Sequence, residues 1–133
     1  MPYRLSVLAA RVSRDFAARY RERFGFSNAE WRVLAHLSAS GAVSVRDIHL
    51  RADLEKSKAS RAAARLQSAG LVEKRADAED RRLVALTLTA AGRAAMAELI
   101  PLAHAYEAEL MAELPPEDRA PFERMIARLT GEA

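Results

Sequence analysis

Leu5, Leu8, Val12, Phe16, Tyr20 and Phe24 recur at intervals close to four residues, one broad apolar stripe that predicts a first helix over residues 3–24. Gly25 is expected to end it. S-N-A-E at residues 27–30 reads as a capping box for a second helix carrying Trp31, Leu34, Ala35 and Leu37, which Gly41 should stop. A second S-x-x-D signature, Ser44 to Asp47, predicts a short third helix with Val45 and Ile48. Over residues 54–69, Ala59, Ala62, Ala63, Leu66 and Ala69 share a stripe of small side chains, and Gly70 is placed to form a left-handed cap. The apolar and β-branched residues of 71–75 and 83–88 predict two paired strands. The loop A-D-A-E-D-R-R between them, residues 76–82, is too charged to be buried.

A long helix is expected from Thr89 to about Glu113, with Pro101 bending it because proline removes a backbone donor. L-P-P-E-D at residues 114–118 marks a turn. A last helix follows with Phe122, Met125, Ile126 and Leu129, its first turn made irregular by Pro121. The fold class is therefore mainly α with a small β-hairpin: a helix-turn-helix with a wing, flanked by terminal helices. There are no internal repeats, low-complexity tracts or linkers, and 133 residues suit a single domain spanning 1–133.

The fourth predicted helix has a second, polar face. Lys58, Arg61 and Arg65 fall at i, i+3 and i+7, and Lys56, Ser57 and Ser60 cluster in its first turns. A helix that reads the major groove presents cations and hydroxyls in this way. Taken alone, the same pattern also describes a solvated helix face. The hairpin shifts the balance, because Arg81 and Arg82 at its tip suit insertion of a guanidinium into a minor groove, where negative potential is concentrated. Asp80 is placed to hold that arginine by a charge-assisted hydrogen bond, although an isolated exposed Asp-Arg pair carries little energy.

These residues resemble the MarR (multiple antibiotic resistance regulator) family of winged helix-turn-helix transcription factors. The resemblance rests on K-S-K-A-S-R (56–61), R-L-Q-S-A-G-L-V (65–72) and D-A-E-D-R-R-L-V-A-L-T-L-T-A-A-G (77–92), and it extends to W-R-V-L-A (31–35). It implies Ser57, Lys58, Ser60 and Arg61 as contacts of the recognition helix, Arg82 as the minor-groove residue and Asp80 as its partner. It also implies a winged helix-turn-helix over about 27–88, with dimerisation helices over about 1–25 and 89–133. His49 and Leu50 depart from the family pattern of Ala and a polar residue. Ala59 and Ala63 are smaller than the usual valines, which predicts looser packing of the two helices.

The terminal helices carry more apolar surface than one small winged domain can cover, which points to assembly. In the family such helices interleave as a two-fold homodimer, which sets two reader helices about 34 Å apart over a palindromic operator of double-stranded DNA. A monomer with its terminal helices folded back is the alternative. The resemblance further implies a repressor relieved by a small aromatic or phenolic effector between the dimerisation helices and the DNA-binding lobe. Tyr20, Trp31 and His36 are candidates for lining that crevice, and core packing is the competing reading for each.

Net charge is +3, but it is unevenly placed: residues 1–45 carry seven arginines against three acids, and residues 89–133 carry four arginines against eight. A basic body with an acidic tail fits one end turned toward phosphates, without separating DNA from RNA. Zero cysteines exclude thiol sensing and disulfides. His36, His49 and His104 lack metal-ligand spacing, and no nucleophile elbow or phosphate loop occurs, so no metal, cofactor or catalytic role is expected. No apolar run reaches the roughly 18 residues of a membrane span and the first residues lack a signal peptide's apolar region, so a cytoplasmic protein is expected. The rival functional class is a winged helix that binds another protein and has lost DNA binding.

Overall fold

The computed structural model describes residues 1–76 and 84–132. Within them the elements run α1 (Pro2–Arg21), α2 (Asn28–Ser40), β1 (Ala42–Ser44), α3 (Ile48–Arg51), α4 (Lys56–Ser68), β2 (Val72–Ala76), β3 (Val84–Leu88), α5 (Ala90–Met111) and α6 (Pro116–Thr130). The protein is mainly helical with a small antiparallel sheet, a winged helix with additional terminal helices. The chain divides into two compact units, Met1–Ile100 and Pro101–Ala133.

In the first unit, α1 ends at Arg21, short of the expected Phe24, and the Phe24 amide donates back to the Tyr20 carbonyl at 2.7 Å. Gly25 is not what stops it. Only the C-terminal part of the predicted stripe is covered: Phe16, Ala17 and Tyr20 are buried, while Leu5 and Leu8 are exposed. Phe16 and Tyr20 pack on Trp31 of α2 with ring centroids 4.9 and 6.0 Å away. α2 opens as its capping residues predict, with Ser27 Oγ accepting the Glu30 amide at 3.2 Å and donating to the Glu30 carboxylate at 3.1 Å. It closes at Gly41, whose φ of 82° is the left-handed geometry glycine permits.

The predicted cap at Ser44 is not formed. Residues 42–44 instead make a third strand that the pattern did not reveal, and the Ser44 oxygens hold a turn by accepting the Arg46 amide at Oγ and the Asp47 amide at the carbonyl. The reason is tertiary: Val43 lies opposite Leu86 in the register, and both are buried. The sheet order is β1-β3-β2, and α3 shrinks to a single turn.

Helix α4 packs on α2 and α3. It starts at Lys56, later than residue 54, and buries Ala59, Ala62, Ala63 and Leu66, whereas Ala69 is exposed at its end. Gly70, with φ 77°, turns the chain into β2. Thr89 then ties the two ends of the hairpin segment together: its hydroxyl donates to the Gly70 carbonyl at 2.6 Å and accepts the Gly92 amide at 3.0 Å. That arrangement caps the first turn of α5. Gly92 presses on the Leu71 backbone so closely that a Cβ there would collide with the Leu71 carbonyl. The run L-T-A-A-G at residues 88–92 is thus a packing joint between α5 and the sheet.

α5 continues through Pro101 as one helix, so the proline does not end it, and the division between the two units falls between Ile100 and Pro101. In the second unit the expected turn is present and α6 contains Pro121 in its interior. No described residue of α6 is buried: Met125, Ile126 and Leu129 are all exposed.

Candidate nucleic-acid interface

The two faces of α4 separate by chemistry. The four buried positions hold it against the core, and Lys56, Ser57, Lys58, Ser60, Arg61 and Arg65 are all exposed. Lys58 and Arg61 make no hydrogen bond or ion pair among the described residues, which leaves their charges open to a partner. Arg65 differs, because its Nε donates to Glu30 Oε1 at 2.9 Å. Glu30 is therefore shared between the Ser27 cap and Arg65, so the first turn of α2 anchors the later turns of α4.

A second clamp was not legible in the sequence. Arg32 Nη1 donates to the Asp53 carbonyl at 2.9 Å, closing the turn between α3 and α4, where Asp53 adopts φ 53°. Aspartate tolerates that left-handed geometry better than most residues. The local signal was weak: a single aspartate in R-A-D-L does not announce a partner twenty-one residues away.

The cationic surface also extends beyond the predicted residues. A cleft of about 460 Å³ opens beside α4, lined by Arg46, His49, Lys56, Ser60 and Lys74 among others. Arg46 and His49 come from the β1–α3 segment and Lys74 from β2. Lys74 lies opposite Leu86 and so projects from the core-facing side of the sheet, at its outer end. Sequence periodicity missed these three because they are contiguous only after the sheet has formed. Asp80, Arg81 and Arg82, the expected wing-tip residues, lie outside the described residues. The pair Ala76 and Val84 marks where the chain leaves the sheet and returns to it.

The candidate effector residues are partly brought together. Tyr20 and Trp31 join Phe16 in an aromatic cluster, with the Phe16 ring edge-on to both, at 5.1 and 4.9 Å. Tyr20 is fully buried and Trp31 half-buried, so Tyr20 serves as core rather than as the wall of an open crevice. Burial pushes the Tyr20 phenol above its ordinary value; Glu30 adds to the rise, and Arg21 and Arg32 oppose it. Its hydroxyl has no hydrogen-bond partner among the described residues. His36 is half-buried and lies five residues beyond Trp31, about 140° around α2.

Among the described residues there is no group of three His, Asp or Glu side chains able to hold a metal ion, and no helix is long and apolar enough to cross a membrane.

A profile of the MarR family matches residues 24–83. No curated protein is similar enough in sequence to match the chain. Solved structures are similar over nearly its whole length. A MarR family transcriptional regulator from Silicibacter pomeroyi DSS-3 superposes with a TM-score of 0.84 at 29% identity, over 98% of this chain and 93% of that one. Another MarR family regulator from Silicibacter pomeroyi gives a TM-score of 0.81 at 28% identity, over 98% of this chain and 88% of that one. Bordetella bronchiseptica BpsR, whose DNA binding is regulated by 6-hydroxynicotinic acid, shares the fold with a TM-score of 0.82 at 24% identity, over 98% of this chain and 92% of that one. Winged helix, α4 framework and profile agree: residues 24–83 match the MarR family, and the fold of the whole chain is that of MarR family transcriptional regulators.

Proposed function

We propose that the protein is a cytoplasmic homodimeric repressor that binds a palindromic operator in double-stranded DNA and is released by a small effector. The observation that carries this reading is the division of α4 into a buried alanine and leucine face and an exposed face bearing Lys58 and Arg61. Ser57, Lys58, Ser60 and Arg61 then meet base edges in the major groove, where arginine or lysine pairs with guanine. Arg46, Lys56 and Lys74 line the adjoining cleft and meet phosphates, which fix register and carry no base information. Arg82, with Asp80 holding it and Arg81 beside it, is assigned to the minor groove. Arg65 contributes through Glu30, keeping α4 in place, more than through the duplex.

The dimer is supported by apolar surface left open in one chain. Tyr3, Leu5 and Val7 of α1 and Met125, Ile126 and Leu129 of α6 are all exposed. Faces of this kind mark association surfaces. Two-fold pairing then sets the reader helices about one DNA turn apart, roughly 34 Å. An effector is supported by the regulation of BpsR by 6-hydroxynicotinic acid. Selection of bound sequences from a random duplex pool tests the reading. An inverted repeat with half-site centres about 10 base pairs apart is expected, and a pool that shows no enrichment would favour a winged helix that binds protein instead.

A further inference from the structure

Of the three histidines in the chain, His49 is the one among the walls of the cleft beside α4. It is the second residue of the single turn α3 and is half-buried, and its imidazole makes no hydrogen bond or ion pair among the described residues. Its carbonyl, by contrast, accepts the Leu54 amide at 2.9 Å. That bond helps close the turn between α3 and α4, so the backbone carrying the ring is held while both ring nitrogens stay open to a partner.

Charge in the cleft is of one sign. Arg46 reaches it from the β1–α3 segment, Lys56 from the first turn of α4 and Lys74 from β2, and no carboxylate is among its described walls. Asp47, Asp53 and Glu55, the acids of the same stretch of chain, line none of it. β1 and β3 bring only the uncharged Ser44 and Val84, and α4 adds Ala59 and Ser60. A phosphate is the group such a surface attracts, and a negative charge placed beside an imidazole favours its protonated form.

We infer that His49 contacts the DNA backbone as an imidazolium, and that the protein takes up a proton from solvent at this ring when the duplex binds. α3 is the first helix of the helix-turn-helix, the one that crosses the backbone while the second enters the groove. The contact is a charge-assisted hydrogen bond from a ring N–H to a phosphate oxygen, which fixes position and reads no base. Arginine and lysine keep their charge between pH 6 and 8, and imidazole is the side chain that changes charge there. Affinity is therefore greatest at the acid end and falls as pH rises. The contact rests on the operator-binding reading of α4 and adds to it a residue and a proton.

Fluorescence anisotropy with a labelled duplex from the gene's own upstream region, at pH 6, 7 and 8 and fixed ionic strength, tests the contact on the full chain. Wild-type affinity should fall about three- to tenfold from pH 6 to pH 8. The slope of log affinity against log salt should be steeper at pH 6 by up to about one. His49→Gln should lose both changes and match the wild-type pH 8 affinity throughout. His49→Arg should hold the wild-type pH 6 affinity across the range, a rescue by charge that a purely structural role would not give. His104→Gln, at an exposed position of α5, should keep the wild-type profile. A wild type that ignores pH, or a pH dependence that His49→Gln retains or His104→Gln abolishes, overturns the contact and leaves the operator-binding reading standing. No binding of the duplex at any pH sinks both.

Discussion

The Arg65 guanidinium lies 2.9 Å from the Glu30 carboxylate, joining α4 to the first turn of α2 across thirty-five residues. Glu30 is largely buried and Arg65 is about half exposed, so solvent screens the pair only in part. A double-mutant cycle with Arg65→Gln and Glu30→Gln, followed by urea unfolding, should give a coupling of about 0.5–1 kcal/mol. A coupling of zero would leave α4 held by its apolar face alone.

Gly92 has no room for a side chain, since a Cβ would meet the Leu71 carbonyl oxygen and lie 3.1 Å from its carbon. Backbone cannot swing aside as a flexible side chain does. Gly92→Ala should therefore destabilise the fold by about 1–3 kcal/mol, despite the higher helix propensity of alanine. Thermal melting checks this, and an unchanged or higher melting temperature would show that α5 and the sheet can separate to admit a Cβ.

Much of this architecture was legible in the sequence where the signal is local. The Ser27 cap, the Gly41 and Gly70 stops, both strands of the hairpin and the exposure of Lys58 and Arg61 follow from propensity and periodicity within a few residues. What stayed hidden depends on partners distant in the chain. β1 exists because Val43 finds Leu86, Arg32 finds Asp53, and nothing within the described chain buries Leu5 and Leu8 of the α1 stripe. The same holds for the site. Its α4 half was visible as a pattern, and Arg46, His49 and Lys74 joined it only through folding.

Tyr20 gives the stability curve a specific alkaline feature. Burial raises the folded-state value above the unfolded value of about 10, with Arg21 opposing it, Glu30 adding to it and Arg32 opposing it. The neutral phenol therefore contributes stability fully below pH 10, and the contribution is lost as pH rises through the folded-state value. Tyr20→Phe removes this part of the loss. At pH 7 it should leave stability unchanged or raise it by up to about 1 kcal/mol, because the hydroxyl is buried without a partner among the described residues. Urea unfolding at pH 7 and pH 10.5 checks both, and an identical alkaline decline in the variant would contradict the assignment.

Ile126 and Leu129 are exposed on a helix that buries none of its described residues. If a second copy covers them, Ile126→Glu and Leu129→Glu should shift the protein from dimer to monomer. Sedimentation at micromolar concentration reads this directly. A wild-type monomer, or a dimer that both substitutions leave intact, would place the association surface elsewhere.

Whether the exposed face of α4 reads DNA is decided by affinity for a fragment from the gene's own upstream region, measured across a series of salt concentrations. A steep linear fall of log affinity with log salt is expected. Lys58→Ala and Arg61→Ala should each weaken binding by about 1–3 kcal/mol, and Arg61→Ala should relax base preference as well. Affinity that is flat across salt, or unchanged in both variants, would contradict it.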